Sequence, residues 1–129
     1  MMQPVAQRVI LKSFTIKLTM VNIKNKKVVQ QLEQYGDNLK QSRQVLHWAY
    51  FKNKEDRCAF IREAEQLGYL LGWESEHKGH ERPFGVCIHK VHLVDQNSVD
   101  SIFVELTEIA ASCGGEYDGW ETEIIRAAQ

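Results

Sequence analysis

Histidine is the residue type in this 129-residue chain best suited to chemistry, and four of its five copies stand in pairs three residues apart, His77 with His80 and His89 with His92. Two imidazoles could share a metal ion. Positions three apart on a strand point to opposite faces, however, so His89 and His92 cannot chelate one ion, and no cysteine or carboxylate motif completes either pair. The three cysteines, Cys58, Cys87 and Cys113, include no C-x-x-C pair and each lies in an apolar pattern, which predicts small core residues. Glu121 and Glu123 fall on one face of a predicted strand and could act as a general acid and base, although solvated surface charge is the simpler reading. There is no G-x-S-x-G elbow and no phosphate loop. The residues name no catalyst, metal ion or cofactor, and a non-enzymatic binding protein is the expectation.

Length and composition agree with a single domain, because 43% hydrophobic residues can build a core without staples. No apolar run approaches the roughly 18 residues of a membrane span, and Lys12 and Lys17 interrupt the first one, which argues against a signal peptide and for the cytosol. Charge is unevenly placed. Residues 1–27 hold Arg8, Lys12, Lys17, Lys24, Lys26 and Lys27 with no acid, so against a net charge of −1 the rest of the chain sums to −7. A basic arm of this kind could touch RNA or an acidic protein. Residues 1–19 equally fit a disordered or non-biological leader with Met20 as the start, leaving residues 20–129 as the domain.

The elements that would position these groups follow from periodicity. Val28, Leu32 and Tyr35 recur at helical spacing before Gly36-Asp37-Asn38, which predicts a first helix over 21–35. Residues 43–51, RQVLHWAYF, form the first predicted strand. Asn53 can cap a second helix carrying Phe60, Ala64 and Leu67 on one face, and Gly68 ends it. Strands follow over 69–76 and 84–94, joined by a polar loop, 77–83. The third helix opens at Asn97 or Ser98 and shows an apolar stripe of Val99, Ile102, Phe103, Leu106, Ile109, Ala110 and Cys113. Gly114-Gly115 stops it before a last strand over 116–125. The order predicts an α+β, ferredoxin-like βαββαβ sandwich, with a four-stranded antiparallel sheet and an extra N-terminal helix.

Two helices cover one face of such a sheet. The first strand is apolar on both faces, with Trp48 and Tyr50 on one and Val45, His47, Ala49 and Phe51 on the other. The second face must therefore be closed by the N-terminal helix or stand open as a binding surface. Residues 82–89, RPFGVCIH, partly echo the third strand of RNA-recognition modules, but Val86 and His89 stand where aromatics are required and the body is acidic.

Glu116-Tyr117-Asp118-Gly119-Trp120-Glu121-Thr122, directly after a glycine-terminated helix, resembles the closing strand of the regulator of ribonuclease activity B family. Arg43-x-Val45-x-His47-Trp48-x-x-Phe51, followed by a helix ending Leu67-Gly68-Tyr69, resembles that family's first β-α-β unit, so the likeness runs from about Leu39 to Ile125. It implies a ferredoxin-like fold, no catalysis and no cofactor, and a protein partner, a ribonuclease E-like endonuclease held through its scaffold region. Two alternatives stay open: direct RNA binding through the basic arm, and a different protein partner. The expected partner-binding residues are Asp118, Gly119, Trp120 and Glu121 with His47, Trp48 and Tyr50. Beside that stands a purely structural reading, in which Gly119 allows a bulge and Trp120 fills the core.

Overall fold

The computed structural model describes residues 8–10 and 18–126, with side chains described from Asn25 to Arg126. In chain order the elements are β1 (Arg8–Ile10), α1 (Leu18–Gln34), β2 (Arg43–Phe51), α2 (Lys54–Gln66), β3 (Leu70–Glu76), β4 (Phe84–His92), α3 (Gln96–Ser112) and β5 (Glu116–Glu123). The sheet runs β1-β5-β2-β4-β3 with every neighbouring pair antiparallel. Its four longer strands, in the order β5-β2-β4-β3, are the ferredoxin-like sheet that the strand and helix order predicts. The three-residue β1 falls within the segment read as a leader and pairs with β5. The remainder of that segment up to Lys17 lies outside the described residues.

Local chemistry sets the helix boundaries. The Asn53 side chain accepts from the Asp56 amide at 2.8 Å, and Glu55 and Asp56 stand at the positive end of α2. Asp95 does the same for α3 by accepting from the Ser98 amide at 2.8 Å, two residues before the predicted start. A carboxylate caps as well as the amide of Asn97 would, and Asp95 follows the last strand more closely.

Val45, Ala49 and Phe51 of β2 and Val86 and Ile88 of β4 point to one side of the sheet, where they meet Phe60 and Ala64 of α2 and Phe103, Leu106 and Ala110 of α3. Burial of this apolar surface is the main drive to fold. Helix α1 joins the same side. Val28, Val29 and Leu32 enter the core, and the buried Asn25 donates to the Asp100 carboxylate of α3 at 2.9 Å while accepting from Trp120 Nε1 of β5 at 3.1 Å. The N-terminal helix therefore does not close the opposite sheet face.

Three sequence expectations need correction. Cys87 is buried, but Cys58 is exposed on α2 and Cys113 is half-buried, because both sit at the rim of their helices' apolar faces. Leu67 caps α2 and is 40% exposed, since the chain leaves the helix there toward β3. Tyr35 lies just beyond the end of α1 and is exposed.

Candidate functional site

The two sheet faces carry different chemistry, and the buried one holds His47. Its Nδ1 lies 2.7 Å from Tyr117 Oη and its Nε2 3.0 Å from His92 Nε2, while His92 Nδ1 lies 2.6 Å from the Leu93 carbonyl. The proton positions follow from one end. A carbonyl only accepts, so His92 carries its proton on Nδ1 and, when neutral, offers a lone pair on Nε2. His47 must then donate from Nε2 and accept on Nδ1, so the Tyr117 hydroxyl donates. Burial first, and then the charges of His92 and Lys90, holds His47 well below the ordinary imidazole range. Burial also lowers His92, against the partly opposing hydrogen bond to Leu93. Burial pushes the Tyr117 phenol up. All three groups stay neutral at physiological pH. The chain of hydrogen bonds runs from the Leu93 carbonyl to Tyr117 with a donor and an acceptor at each step, and it braces β2, β4 and β5.

A bulge on β5 separates this buried group from the outer face. Trp48 pairs with Gly119 and Ala49 with Tyr117, which leaves Asp118 as the extra residue, and Gly119 has φ of +114°. Tyr117 and Trp120 both enter the core as a result. Asp118 is left on the outer face.

That outer face is graded. Toward β5, Leu46 and Glu121 are buried; across β2, Trp48 and Tyr50 are half-buried; toward β3, Leu70, Trp73 and Val91 are 61%, 46% and 65% exposed. Trp48 and Trp73 flank Cys87 in register, and their rings meet edge to face with centroids 5.1 Å apart. One strand step along β2, Tyr50 forms a wall of an open cleft of about 430 Å³, completed by the loop residues His77, His80, Glu81 and Arg82 and by Glu116 and Asp118 of β5. The Tyr50 and His77 rings are 5.9 Å apart, Arg82 donates to Glu116 at 3.0 Å, and partial burial followed by the Asp118 charge raises the Tyr50 phenol.

Of the seven residues singled out in the sequence, Trp48, Tyr50 and Asp118 come together on this face, with Gly119 shaping the strand beneath them. His47 and Trp120 point the other way, into the core, and Glu121 is buried beside Leu46. Sequence reasoning missed Trp73, Arg82 and Glu116. Tryptophan in a predicted edge strand is a usable signal for the first; the other two meet only because the sheet order carries the 77–83 loop across β2 toward β5. Among the described residues no group of three or more histidine, cysteine or acidic side chains could hold a metal ion, and no helix is long and apolar enough to cross a membrane.

The fold and the two faces define a ferredoxin-like domain whose cleft and aromatic surface lie on the sheet side that carries none of the described helices. A family model described as Regulator of ribonuclease activity B (RraB) matches residues 22–122, and the chain belongs to that family. It is accordingly a member of a family of regulators, whose named target is ribonuclease activity. Among curated proteins no sequence matches the chain.

Proposed function

We propose that this chain is a non-catalytic regulator of RNA turnover that binds a ribonuclease E-like endonuclease and modulates its cutting, making contact through the outer sheet face. The observation that carries this reading is the sidedness of the molecule. The three described helices pack on one side of the sheet, and the other side offers Trp48, Tyr50 and Trp73 beside carboxylates. Clustered, partly exposed aromatics next to charge are the usual composition of a protein-binding surface. Trp48, Tyr50 and Asp118 are the contact residues in this reading, and His47, Gly119, Trp120 and Glu121 hold β2 and β5 in shape beneath them. His47 lends itself poorly to catalysis, because it is buried in the core and engaged with the half-buried His92.

The test is a binding and cleavage assay with purified ribonuclease E-like enzyme and a structured RNA. The chain is expected to retain the enzyme in a pull-down and to change its cleavage rate in proportion to occupancy. Retention no better than that of a charge-scrambled control would overturn the proposal. Binding to the RNA alone, lost steeply with added salt, would point instead to the basic N-terminal residues.

A further inference from the structure

We infer that the outward edge of β5 docks an extended segment of a partner protein, a basic residue followed by two apolar ones, and that β1 is the chain's own version of that segment, seated there until the partner displaces it. This rests on the reading that the chain acts by binding a protein, and it names the edge and the chemistry of what is bound.

The contrast between the two sheet edges is the first support. At the far edge, β3 carries its own guards against strand addition: a bulge at Gly72 breaks its register, and Glu74 and Glu76 place charge along it. The guard on β5 is a separate strand. β1 covers Glu121, Thr122 and Glu123 of its eight residues, and the bulge at Asp118 lies outside that stretch. A three-residue strand sets few ladder hydrogen bonds against the entropy of ordering its backbone, and β1 meets the body chiefly through β5. A longer segment would hold the same edge better.

Residue type is the second. The register sets Arg8 opposite Glu123, Val9 opposite Thr122 and Ile10 opposite Glu121. Opposite charges facing across an antiparallel pair and β-branched residues within a strand are both favoured. The seated strand thus states what the edge accepts. Residues 1–27 hold six basic and no acidic residues in a chain of net charge −1, so a competitor for the acidic body must itself be basic.

Continuity with the outer face is the third. Glu121 stands opposite Leu46, two residues along β2 from Trp48 and on the same face. A strand added to β5 would send alternate side chains to that face and extend the surface that carries Trp48 and Tyr50. A nucleic acid has no peptide ladder to add, and its phosphates would meet Glu123.

The experiment uses the full chain, labelled with nitrogen-15, and two blocked peptides, Gly-Ser-Arg-Val-Ile-Ser-Gly and the same peptide with glutamate in place of arginine. Val9→Pro together with Ile10→Pro empties the edge, because of two successive strand amides one must face the neighbour. The arginine peptide is expected to shift the backbone signals of Thr122 and Glu123, and to bind this variant about tenfold more tightly than the parent, in which β1 competes at high effective concentration. The glutamate peptide should bind severalfold more weakly, and adding Glu123→Lys should reverse that preference. Glu123→Lys without the prolines sets like charges opposite each other and should speed amide exchange at Thr122, a result that does not depend on the proline variant folding. Equal binding to parent and proline variant, equal binding of the two peptides, exchange at Thr122 unchanged by Glu123→Lys, or stronger shifts at this edge from a single-stranded RNA oligonucleotide would each overturn the inference. So would a parent dimer that the prolines convert to monomer, since β1 would then belong on a second copy. The two readings fail separately. Peptide addition to β5 without retention of the ribonuclease overturns the ribonuclease reading alone, whereas retention at parental strength by both the proline variant and Glu123→Lys overturns this one alone.

Discussion

Tyr117 and Trp120 stand three residues apart on one strand, yet both side chains enter the same core, Tyr117 edge-on to Phe103 of α3 with ring centroids 4.9 Å apart and Trp120 hydrogen-bonded to Asn25 of α1. A regular strand would send them to opposite faces. The bulge at Asp118 supplies the missing half-period, and Gly119 supplies the backbone angle that the bulge demands. The Asp-Gly step between two large aromatics is thus a geometric device, and it also leaves the Asp118 side chain on the outer face.

Gly119→Ala tests the device, because φ of +114° strains any residue with a Cβ. The variant is expected to lose about 1–3 kcal/mol in urea unfolding. Deleting Asp118 should do far more, since it would turn either Tyr117 or Trp120 out of the core, and cooperative unfolding should be lost. A deletion variant with the parent's urea midpoint would refute the account.

The pair His47 and His92 predicts a pH dependence with a definite sign. Both are held below the ordinary imidazole value, so the folded chain keeps them neutral where the unfolded chain takes up protons. Stability conferred by this neutrality is complete above about pH 6.5 and is lost as pH falls below it, approaching about 1.4 kcal/mol per pH unit from His47 alone. Lys90 and Arg43 reinforce the effect on His92, and Asp95 opposes it. Urea midpoints measured from pH 8 to 5 should be level and then decline, with a shallower decline in His47→Gln. A midpoint unchanged between pH 7.5 and 5.5 would contradict the neutral, one-directional hydrogen-bond chain.

Removing only the donor of that chain gives a sharper case. Tyr117→Phe keeps the ring against Phe103 but leaves His47 Nδ1 buried without the hydroxyl 2.7 Å away. The expected loss at neutral pH is about 1–3 kcal/mol, the cost of an unsatisfied buried polar group. Thermal unfolding of parent and variant at pH 7.5 measures it, and a loss no larger than that of an exposed tyrosine would count against this hydrogen bond as a brace of the core.

Much of this fold is legible along the chain, because strands and helices here obey their own periods. RQVLHWAYF alternates correctly, the α3 stripe from Val99 to Ala110 is core, and Asn53 caps α2. What stays hidden is relational. Nothing in local periodicity tells that α1 packs beside α3 rather than across the opposite sheet face; that depends on Asn25, a polar residue in a basic run, meeting Trp120 and Asp100 some 95 and 75 residues away. The cleft is hidden for the same reason. Tyr50, Arg82 and Glu116 lie on three different segments, and only the order β5-β2-β4-β3 brings them together. Motif reading did mark Trp48, Tyr50 and Asp118, but could not tell that their neighbours His47 and Trp120 face inward.

Asn25 therefore offers a direct test of how α1 is held. Asn25→Ala should leave Trp120 Nε1 and Asp100 short of a partner and cost about 1–3 kcal/mol. Amide exchange should accelerate in α1 more than in α2, because α1 reaches the body through α3 and β5. Uniform acceleration across all three helices would show that α1 folds as an inseparable part of the core.

The pair Arg43 and Asp37 sets the largest expectation for a substitution. Their side chains are 3% and 0% exposed, and the interaction is bidentate: Arg43 Nη1 meets Asp37 Oδ2 while Nη2 donates to Oδ1 at 2.7 Å. Arg43 also donates to the Glu123 and Asn38 carbonyls at 2.9 Å each, and Asp37 accepts from the Ile125 amide at 2.8 Å. The start of β2, the end of β5 and the loop after α1 are thereby tied at one point. Asp37→Ala strands a buried guanidinium, and a loss of about 3–5 kcal/mol is expected. Lys54 and Glu76 make the contrasting case, at 3.6 Å with both side chains more than half exposed, and Lys54→Ala should change stability by less than about 1 kcal/mol. Because desolvation of the charges offsets much of their attraction, replacing both members, Asp37→Leu with Arg43→Met, should recover part of what Asp37→Ala loses. Urea unfolding of the three variants at low and high salt separates the two pairs. The Arg43 effect should persist at high salt, and if it fades as a surface pair does, the buried tie is not what holds the ends of β2 and β5 together.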